Sequence, residues 1–166
     1  MRLPFAPPIE PMLSAAADAL PGGAGWQFEP KWDGFRTLVF RDGDEILLQS
    51  RDAKPMNRYF PELVAPLASA LPTRCVVDGE IVIVGEHGLD FEALLLRIHP
   101  AASRVKLLAE TTPASFIAFD ILALDGDDLR KLSLRKQHLA RLLADCSFPQ
   151  RSKLSDRVRV LLCTAG

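Results

Sequence analysis

The sequence has few cysteines and no long apolar stretch, and each of these absences excludes a class of protein. The three cysteines, Cys75, Cys146 and Cys163, are scattered and form no CxxC pair, so the pattern indicates neither a zinc site nor a disulfide framework. No apolar run is long enough to cross a bilayer as a helix. Prolines interrupt the opening MRLPFAPPIEPML, where a secretory signal would need an unbroken apolar core. We therefore expect a cytoplasmic protein.

A strong net charge is also lacking, since 20 Lys and Arg nearly balance 21 Asp and Glu. Acidic residues nevertheless predominate up to residue 129, and basic residues predominate from 130 to 166. Such a split is typical of chains with a segment that faces nucleic acid. It is equally typical of a solvated basic helix followed by a tail. We favour the second interpretation slightly, because a basic count alone gives only non-specific attraction to phosphate.

Short strand-like runs alternate with helical patterns along the chain. The strand-like runs include GFRTLVF and EILLQS, which the turn RDGD joins, and later RCVVDGEIVIV and SFIAFDILAL. Helical spacing occurs in FPELVAPLASAL, in FEALLLRI and in LSLRKQHLARLLADC, the last with Ser133 as its expected N-cap. Because antiparallel hairpins are mixed with helices, the predicted fold class is α+β rather than a doubly wound parallel sheet.

The first candidate for chemistry is Lys31, in the stretch EPKWDGFR at 29–36. A lysine attacks a phosphorus or carbonyl centre only as the free amine, so its site must lower its pKa by burial or by nearby cations. Arg36, Arg51 and Lys54 are candidate cations. An arginine can also bind phosphate through its bidentate fork.

The same stretch has a plain structural interpretation. Asp33 and Gly34 are typical of a tight turn, and Gly34 allows a close backbone approach. Lys31 would then be a strand-end charge paired with Glu29 or Asp33. For an arbitrary KxDG sequence this interpretation should prevail, so other residues have to support a catalytic one.

Two carboxylates, Asp78 and Glu80, share one face of the apolar run RCVVDGEIVIV, because side chains alternate along a strand. Burying them is expensive, so they either lie at an exposed strand end or face a ligand. Glu80 could accept a hydrogen bond from a ribose hydroxyl or help to hold a metal ion. The alternative is a β-bulge at Gly79 with both acids in solvent, and the strand alone leaves the two interpretations level.

The run FIAFDIL adds an aromatic candidate. Strand alternation predicts that Phe119 and Asp120 point to opposite sides. One of them could lie against a flat ligand while the other meets solvent or a basic partner. A phenylalanine in such a run is far more often part of a core, so this signal is weak alone.

Taken in order, these motifs resemble those of the covalent nucleotidyltransferases, specifically the ATP-dependent DNA ligases. KWDGFR at 31–36 is similar to the KxDGxR nucleophile motif, SRDAK at 50–54 to the arginine-bearing motif, VVDGEIVI at 76–83 to the DGE strand, and FIAFDIL at 116–122 to the aromatic motif. PPIEPMLS and QSRDAKPMNRYFPEL resemble the small bacterial repair-type ligases. The resemblance covers residues 4–145 and implies an ATP-grasp-like adenylation domain of antiparallel sheets flanked by helices.

The resemblance also implies a reaction. Lys31 would attack the α-phosphate of ATP, release pyrophosphate and keep AMP as a phosphoramidate. AMP would then pass to a 5′-phosphate at a nick in double-stranded DNA, and the 3′-hydroxyl would displace it. A divalent cation, Mg²⁺, would offset charge on the phosphates; no ligands for it are identified.

Five further positions match nucleotide-binding positions of the family. Glu29 would lie at the adenine end of the pocket, and Phe119 would stack on adenine. Glu80 would contact the ribose. Arg36 and Arg51 would contact the sugar and phosphates.

The sequence departs from the family after residue 146. The family continues with an EGxxxK motif, whose glutamate serves the metal, then with a KxK-type motif and an OB-fold domain, and none of these is found before Gly166. We therefore expect residues 1–146 to form a partial adenylation domain and 147–166 an irregular tail without an OB-fold. We also expect a truncated chain that seals few nicks alone.

Two other functions stay open at this point. An RNA ligase or a GTP-using capping-type nucleotidyltransferase would share the KxDGxR motif, although QSRDAK through YFPEL favours a DNA ligase. A non-catalytic remnant would bind nucleotide weakly or need a partner chain. The oligomeric state is open as well.

Overall fold

The computed structural model describes residues 1–12, 18–19, 22, 31–132 and 158–160. Its strands are β1 (Phe35–Asp42), β2 (Glu45–Ser50), β3 (Arg74–Val82), β4 (Val84–Gly85), β5 (Gly88–Leu89), β6 (Ser115–Leu124), β7 (Asp127–Asp128) and β8 (Val158–Val160). Its helices are α1 (Val64–Ala70), which follows a 3-10 turn at Pro61–Leu63, α2 (Phe91–Leu95) and α3 (Ala102–Thr111). Antiparallel strands with a few helices confirm the predicted α+β class.

One sheet organises the described part of the chain, with strand order β2-β1-β3-β6-β7. Neighbours along this path pair antiparallel, and β8 adds to β6 in parallel. The predicted RDGD turn joins β1 to β2, with Gly43 at a positive φ of 63° that favours glycine. The strands β1, β3 and β6, which carry three of the four sequence motifs, are therefore adjacent.

The two faces of the sheet are covered by different parts of the chain. On one face, Val77 and Ile81 of β3 pack with Leu67 of α1 and Leu94 of α2 in the main core. On the other face, a smaller cluster of Leu38, Phe40, Val76, Leu122 and Ala123 packs against Leu3, Phe5, Ile9 and Leu47. Successive side chains of β3 therefore point to opposite faces of the sheet, as predicted for the DGE strand, so that apolar residues are available to both clusters.

The N-terminal segment 1–12 is held on this second face by specific contacts. The Gln49 side chain donates from Nε2 to the Ile9 carbonyl at 2.6 Å, and its Oε1 accepts from the Ile9 amide at 3.1 Å. At the far end the Arg2 amide donates to Asp42. The segment thus covers the apolar part of the face and leaves its polar end to the residues described below.

Two helical predictions have different outcomes. FPELVAPLASAL forms the 3-10 turn and α1, and the four apolar residues that its helical spacing places on one face are buried: Leu63, Leu67, Ala70 and Leu71. FEALLLRI forms only the five-residue α2, and Leu95 and Ile98, which its helical spacing groups with the buried Leu94, are exposed. The side chain that turns inward instead is Arg97, whose guanidinium bonds the Glu62 carboxylate.

The C-terminal region requires one correction. Within 147–166, which was expected to be irregular, Val158–Val160 forms a strand paired with Phe116–Ala118. The β-branched pattern VRV suits a strand, and β6 offers its edge to it. The predicted helix from Ser133 lies outside the described residues, and the domain boundary at 146 stays a prediction.

Candidate active site

The segment that follows Lys31 lies directly against β3. A Cβ atom on Gly34 would come within 2.5 Å of the Ile81 carbonyl oxygen and within 2.9 Å of the Glu80 Cγ and the Val82 Cγ1. No side chain fits in such a space, so glycine is required where the turn meets the strand. This contact brings the turn at 31–34 next to the DGE motif, as the close approach predicted at Gly34 implies.

Arg36 and Asp78 form a two-point ion pair between β1 and β3. Arg36 donates from Nε to Oδ1 at 3.1 Å and from Nη2 to Oδ2 at 2.7 Å. Asp78 is only 3% exposed, and burial raises the pKa of its carboxyl although Arg36 acts in the opposite direction. The hydrogen bond from Arg36, in turn, raises the pKa of the guanidinium. Since both carboxylate oxygens accept, the geometry is that of an ionised pair.

Glu80 lies opposite Arg36 in the register of β1 and β3 and is half-buried. Burial raises the pKa of its carboxyl, whereas the charges of Arg36 and Lys31 lower it. The alternative of a β-bulge at Gly79 with both acids in solvent is wrong in one respect. A bulge is present on β6 opposite Asp78 and Gly79, but Asp78 is buried. The two acids therefore face a cation rather than open water.

Phe119 joins this group from β6. The Arg36 Cζ lies 5.4 Å from the centre of the Phe119 ring, a cation–π distance. The register passes from Asp78 opposite Asp120 to Gly79 opposite Ala118, so Phe119 is the extra residue of a bulge. Because the bulge interrupts strict alternation, Phe119 and Asp120 both act on Arg36. The prediction that they serve opposite sides is wrong for this reason.

Lys31 is exposed and lies close enough to Glu80 to lower the pKa of that carboxyl by its charge. Among the residues that the structure describes, no carboxylate lies within salt-bridge distance of the Lys31 ammonium, so the predicted alternative pairing with Asp33 is not formed. Glu29, the other alternative partner and the expected adenine-end residue, lies outside the described residues.

Arg51 occupies the loop after β2 at the same end of the sheet. Ser50 pairs with Thr37, so Arg51 follows at the level of Arg36, one strand away. Its side chain is 64% exposed and lies 3.5 Å from Asp52. The structure thus brings Lys31, Arg36, Glu80 and Phe119 together, while Arg51 stands at the rim with Lys54, which is also exposed.

Sequence reasoning did not assign a role to two members of this group. It treated Asp78 and Glu80 alike, but Asp78 is the direct partner of Arg36. It also left open whether Asp120 meets solvent or a basic partner, and this buried carboxylate lies opposite Asp78 on the neighbouring strand. The sequence did contain a signal: Asp78 and Asp120 each lie in an apolar strand-like run, and Arg36 is a nearby cation. Because a buried charge is normally paired, an ion pair with Arg36 could have been predicted.

The described residues contain neither a metal-binding cluster nor a membrane-spanning helix. Within the described residues, no group of three or more His, Cys, Asp or Glu side chains is arranged to hold a metal ion. None of the helices described there has the length and apolar character to cross a membrane.

Comparison with known sequences identifies relatives. The family described as ATP dependent DNA ligase domain matches residues 11–160. DNA ligase C of Mycobacterium tuberculosis is 62% identical over 128 residues, which cover 77% of this chain and 35% of that protein. DNA ligase C2 of Mycolicibacterium smegmatis is 58% identical over 147 residues, which cover 87% and 41%. The chain therefore spans 35–41% of the length of these two relatives.

Comparison with solved structures identifies the same fold. The ligase domain of LigD from M. tuberculosis is similar with a TM-score of 0.57 and 28% identity, over 83% of this chain and 40% of that one. A mycobacterial DNA ligase D solved with ATP and MES has a TM-score of 0.50 and 30% identity, over 71% and 36%. The fold is that of a ligase nucleotidyltransferase domain, and with the match over residues 11–160 the chain belongs to the ATP-dependent DNA ligase family.

Proposed function

We propose that this chain carries the AMP-accepting site of an ATP-dependent DNA ligase, with Lys31 as the nucleophile. The observation that carries the proposal is the contact of Gly34 with β3, which sets the Lys31 turn beside Glu80 and Arg36. A lysine, a fork-forming arginine, a carboxylate and an aromatic ring lie within one small region. This combination is better explained by a nucleotide-binding site than by a turn that merely faces solvent.

In the proposed step the neutral Lys31 amine attacks the α-phosphorus of ATP. The new P–N bond forms as the P–O bond to the β-phosphate breaks, and pyrophosphate leaves with the bonding electron pair. The nitrogen loses its proton, and AMP stays on Lys31 as a phosphoramidate. The guanidinium of Arg36, in the same group of side chains, would supply a fixed positive charge to offset the negative charge of the phosphates.

The residues around Lys31 are proposed to hold the nucleotide. The fork of Arg36 to Asp78 uses Nε and Nη2, so Nη1 can donate to the sugar or a phosphate. Glu80 accepts from a ribose hydroxyl, for which its half-buried position is suited. Phe119 has the guanidinium near its ring, and adenine would stack on the ring as well.

Two members of the proposed site rest on the motifs alone. Glu29 is proposed for the adenine end of the pocket, and it lies outside the described residues. Arg51 is proposed for the phosphates, and its exposed position at the rim leaves it able to reach a triphosphate that projects from the pocket.

The described residues do not fit a protein-held cation, because they contain no cluster of three metal-ligating side chains. We therefore assign no protein ligand to Mg²⁺ and derive no step through it. Mg²⁺ commonly binds nucleotide enzymes mainly through substrate phosphates. The proposed dependence on a divalent cation is tested by chelation with EDTA.

For the DNA steps we propose a nicked double strand, with AMP passing to the 5′-phosphate in DNA repair. The names of the relatives favour DNA over RNA and a ligase over a capping enzyme. We propose these steps for a protein of the same length as those relatives. In such a protein, residues 1–146 would form part of the adenylation domain. The 166-residue chain alone is expected to seal few nicks, because the EGxxxK motif is not found in it.

The test is transfer of label from ATP radioactive at its α-phosphate. We expect the chain to become covalently labelled in the presence of Mg²⁺, and Lys31→Ala and Lys31→Arg to abolish the label. Lys106→Ala, which removes an exposed lysine from α3, is the matched control and should label like the wild type. Label retained by both Lys31 variants would refute the proposal.

Competition and transfer assays separate the alternatives. Excess unlabelled ATP should suppress the label, and excess GTP should not. Label should move from the chain to nicked DNA in preference to nicked RNA. Suppression by GTP, or transfer to RNA alone, would favour an RNA ligase or a capping-type enzyme instead.

A further inference from the structure

We propose that Asp78 is a positioning residue that orients the Arg36 guanidinium for the nucleotide, and that its effect on adenylation passes through Arg36. The inference rests on the proposed function, since it concerns the binding of ATP at that site. It assigns a separate task to each acid of the DGE motif: Glu80 meets the nucleotide, and Asp78 holds the residue that meets it.

The geometry of the fork carries the first step. The Nε and Nη2 atoms of Arg36 are both bound, at 3.1 and 2.7 Å, to different oxygens of one carboxylate. Two such bonds fix the plane of the guanidinium as well as its position, which a single bond would not do. The remaining edge, Nη1, is then held in one direction, while the Phe119 ring lies 5.4 Å from the same carbon.

The surroundings carry the second step. Asp78 is 3% exposed, and its cross-strand partner on β1 is the buried Leu38. On its other side it faces Asp120, which is 6% exposed. Two buried carboxylates opposite each other disfavour the folded state, and packing would be served as well or better by apolar side chains. A charge kept at such a cost has a task other than stability.

A comparison with Asp120 shows which of the two acids orients the Arg36 guanidinium. Its Oδ1 accepts the Ile121 amide at 2.9 Å, so part of its hydrogen-bonding capacity is used by its own strand. Asp120 still acts on Arg36 through its charge. Asp78 is the acid that bonds both nitrogens of the fork, and it is therefore the one that sets the direction of the guanidinium.

A role in stability alone makes a different prediction from a positioning role. If the pair merely joined β1 to β3, its loss would lower the fraction of folded, labelled chain and leave the KM for ATP unchanged. If Asp78 orients Arg36 for the nucleotide, its loss raises the KM for ATP in the chain that stays folded. The adenylation assay separates these two quantities.

The experiment is a double-mutant cycle with Asp78→Asn, Arg36→Lys and the two combined, all in the full chain. Asp78→Asn keeps the shape but puts an NH₂ group against one donor of Arg36, and it should raise the KM for ATP roughly tenfold to a hundredfold. In the Arg36→Lys background, which has no fork, the same change should cost less than about twofold.

The chain contains a matched control. Asp128 forms a similar fork with Arg130, with Nη2 to Oδ2 at 2.7 Å, but on the exposed β7. Asp128→Asn should leave the KM for ATP unchanged. If Asp78→Asn does not fold, which thermal unfolding followed by circular dichroism reveals, Asp78→Glu replaces it. That variant keeps the charge but moves the carboxylate by one methylene, and it should also raise the KM for ATP.

The outcomes distinguish this inference from the proposed function. A wild-type chain that takes no label from ATP refutes both. A labelled wild type refutes the inference alone if folded Asp78→Asn or Asp78→Glu binds ATP with the wild-type KM. Equal effects of Asp78→Asn with and without the arginine also refute it, because Asp78 would then act independently of Arg36.

Discussion

The substitution Gly34→Ala tests the contact on which the site depends. The added Cβ would lie 2.5 Å from the Ile81 carbonyl oxygen, which is backbone within a paired strand and cannot turn away. Restoring an ordinary separation of about 3.5 Å requires the turn to move by roughly 1 Å. Lys31, three residues earlier, would move with the turn, and a misplacement of this size costs about a hundredfold in rate.

The effect on stability should be much smaller than the effect on rate. Overpacking of this kind costs about 1–3 kcal/mol, and each kcal/mol lowers the Tm by about 2–4 °C for a domain of this size. Well below the Tm, unfolding therefore cannot account for a hundredfold loss. The rate of label transfer from ATP is measured there, beside a thermal unfolding curve.

Gly22→Ala is the control for Gly34→Ala, because a Cβ at Gly22 meets nothing within 4 Å. It should label at the wild-type rate. The reasoning fails if folded Gly34→Ala also labels at the wild-type rate, since Lys31 would then not need the turn to lie against β3. It also fails if Gly22→Ala loses as much activity as Gly34→Ala.

Three further predictions concern neighbouring parts of the fold. Gly79→Ala would place its Cβ 2.3 Å from the Phe116 ring, inside the pairing of β3 and β6; it should cost about 3 kcal/mol, and an unchanged Tm would contradict this. Arg97→Met leaves the 5%-exposed Glu62 side chain without its guanidinium partner; it should lower the free energy of unfolding in urea by about 3–5 kcal/mol, whereas a loss under about 1 kcal/mol would count against it. Burial raises the pKa of Glu80, so the native carboxylate takes up its proton at a higher pH than the unfolded one, and the contribution of this group to stability is lost as the pH rises from the unfolded pKa through the native pKa. Glu80→Gln should therefore raise the urea midpoint at neutral pH, by a margin that shrinks at acid pH; a margin independent of pH would refute this.

Local pattern was sufficient for the elements that define the sheet. The alternation in RCVVDGEIVIV predicted that Asp78 and Glu80 share one face of β3, and the side chains of Val77 and Ile81 enter the main core on the other face. The turn RDGD predicted the β1–β2 hairpin, where Gly43 has a positive φ. Both signals depend on residues close in sequence, which is why they could be interpreted without the structure.

The end of α2 depended on a distant residue and could not be predicted locally. Helical spacing groups Ile98 with the buried Leu94, but Ile98 is exposed and Arg97 is fully buried instead. Its guanidinium lies 2.6 Å from the Glu62 carboxylate and also donates to the carbonyls of Tyr59 and Thr112. A charged side chain is assigned to solvent by any apolar pattern, so a buried ion pair of this kind overrides the prediction.

The candidate site divides in the same way. The motifs predicted Lys31, Arg36, Glu80 and Phe119 as a group, and the adjacency of β1, β3 and β6 brings these four together. The directions of Phe119 and Asp120 were wrong because the bulge is a property of the β3–β6 register, and no single strand contains that information. The ion pair of Arg36 with Asp78 was not predicted for a related reason. It depends on the register of β1 against β3, in which Leu38 lies opposite Asp78, and this register is known only from the sheet.

The second face of β3 shows what the site costs the fold. Its side chains pass from the buried Val76 to Asp78 and Glu80 and return to the buried Val82. Apolar residues at all four positions would satisfy both the alternation and the cluster that Leu3, Phe5 and Ile9 complete on that face. The two acids interrupt this pattern where Gly34 brings in the Lys31 turn and where Arg36 enters from β1. Local preference and burial disagree on this face of β3, and in folded proteins such disagreements concentrate at functional sites. On this argument the replacement of Asp78 and Arg36 together by leucines, which leaves no charge of the pair behind, should stabilise the sheet while it abolishes adenylation, so stability and adenylation should change in opposite directions.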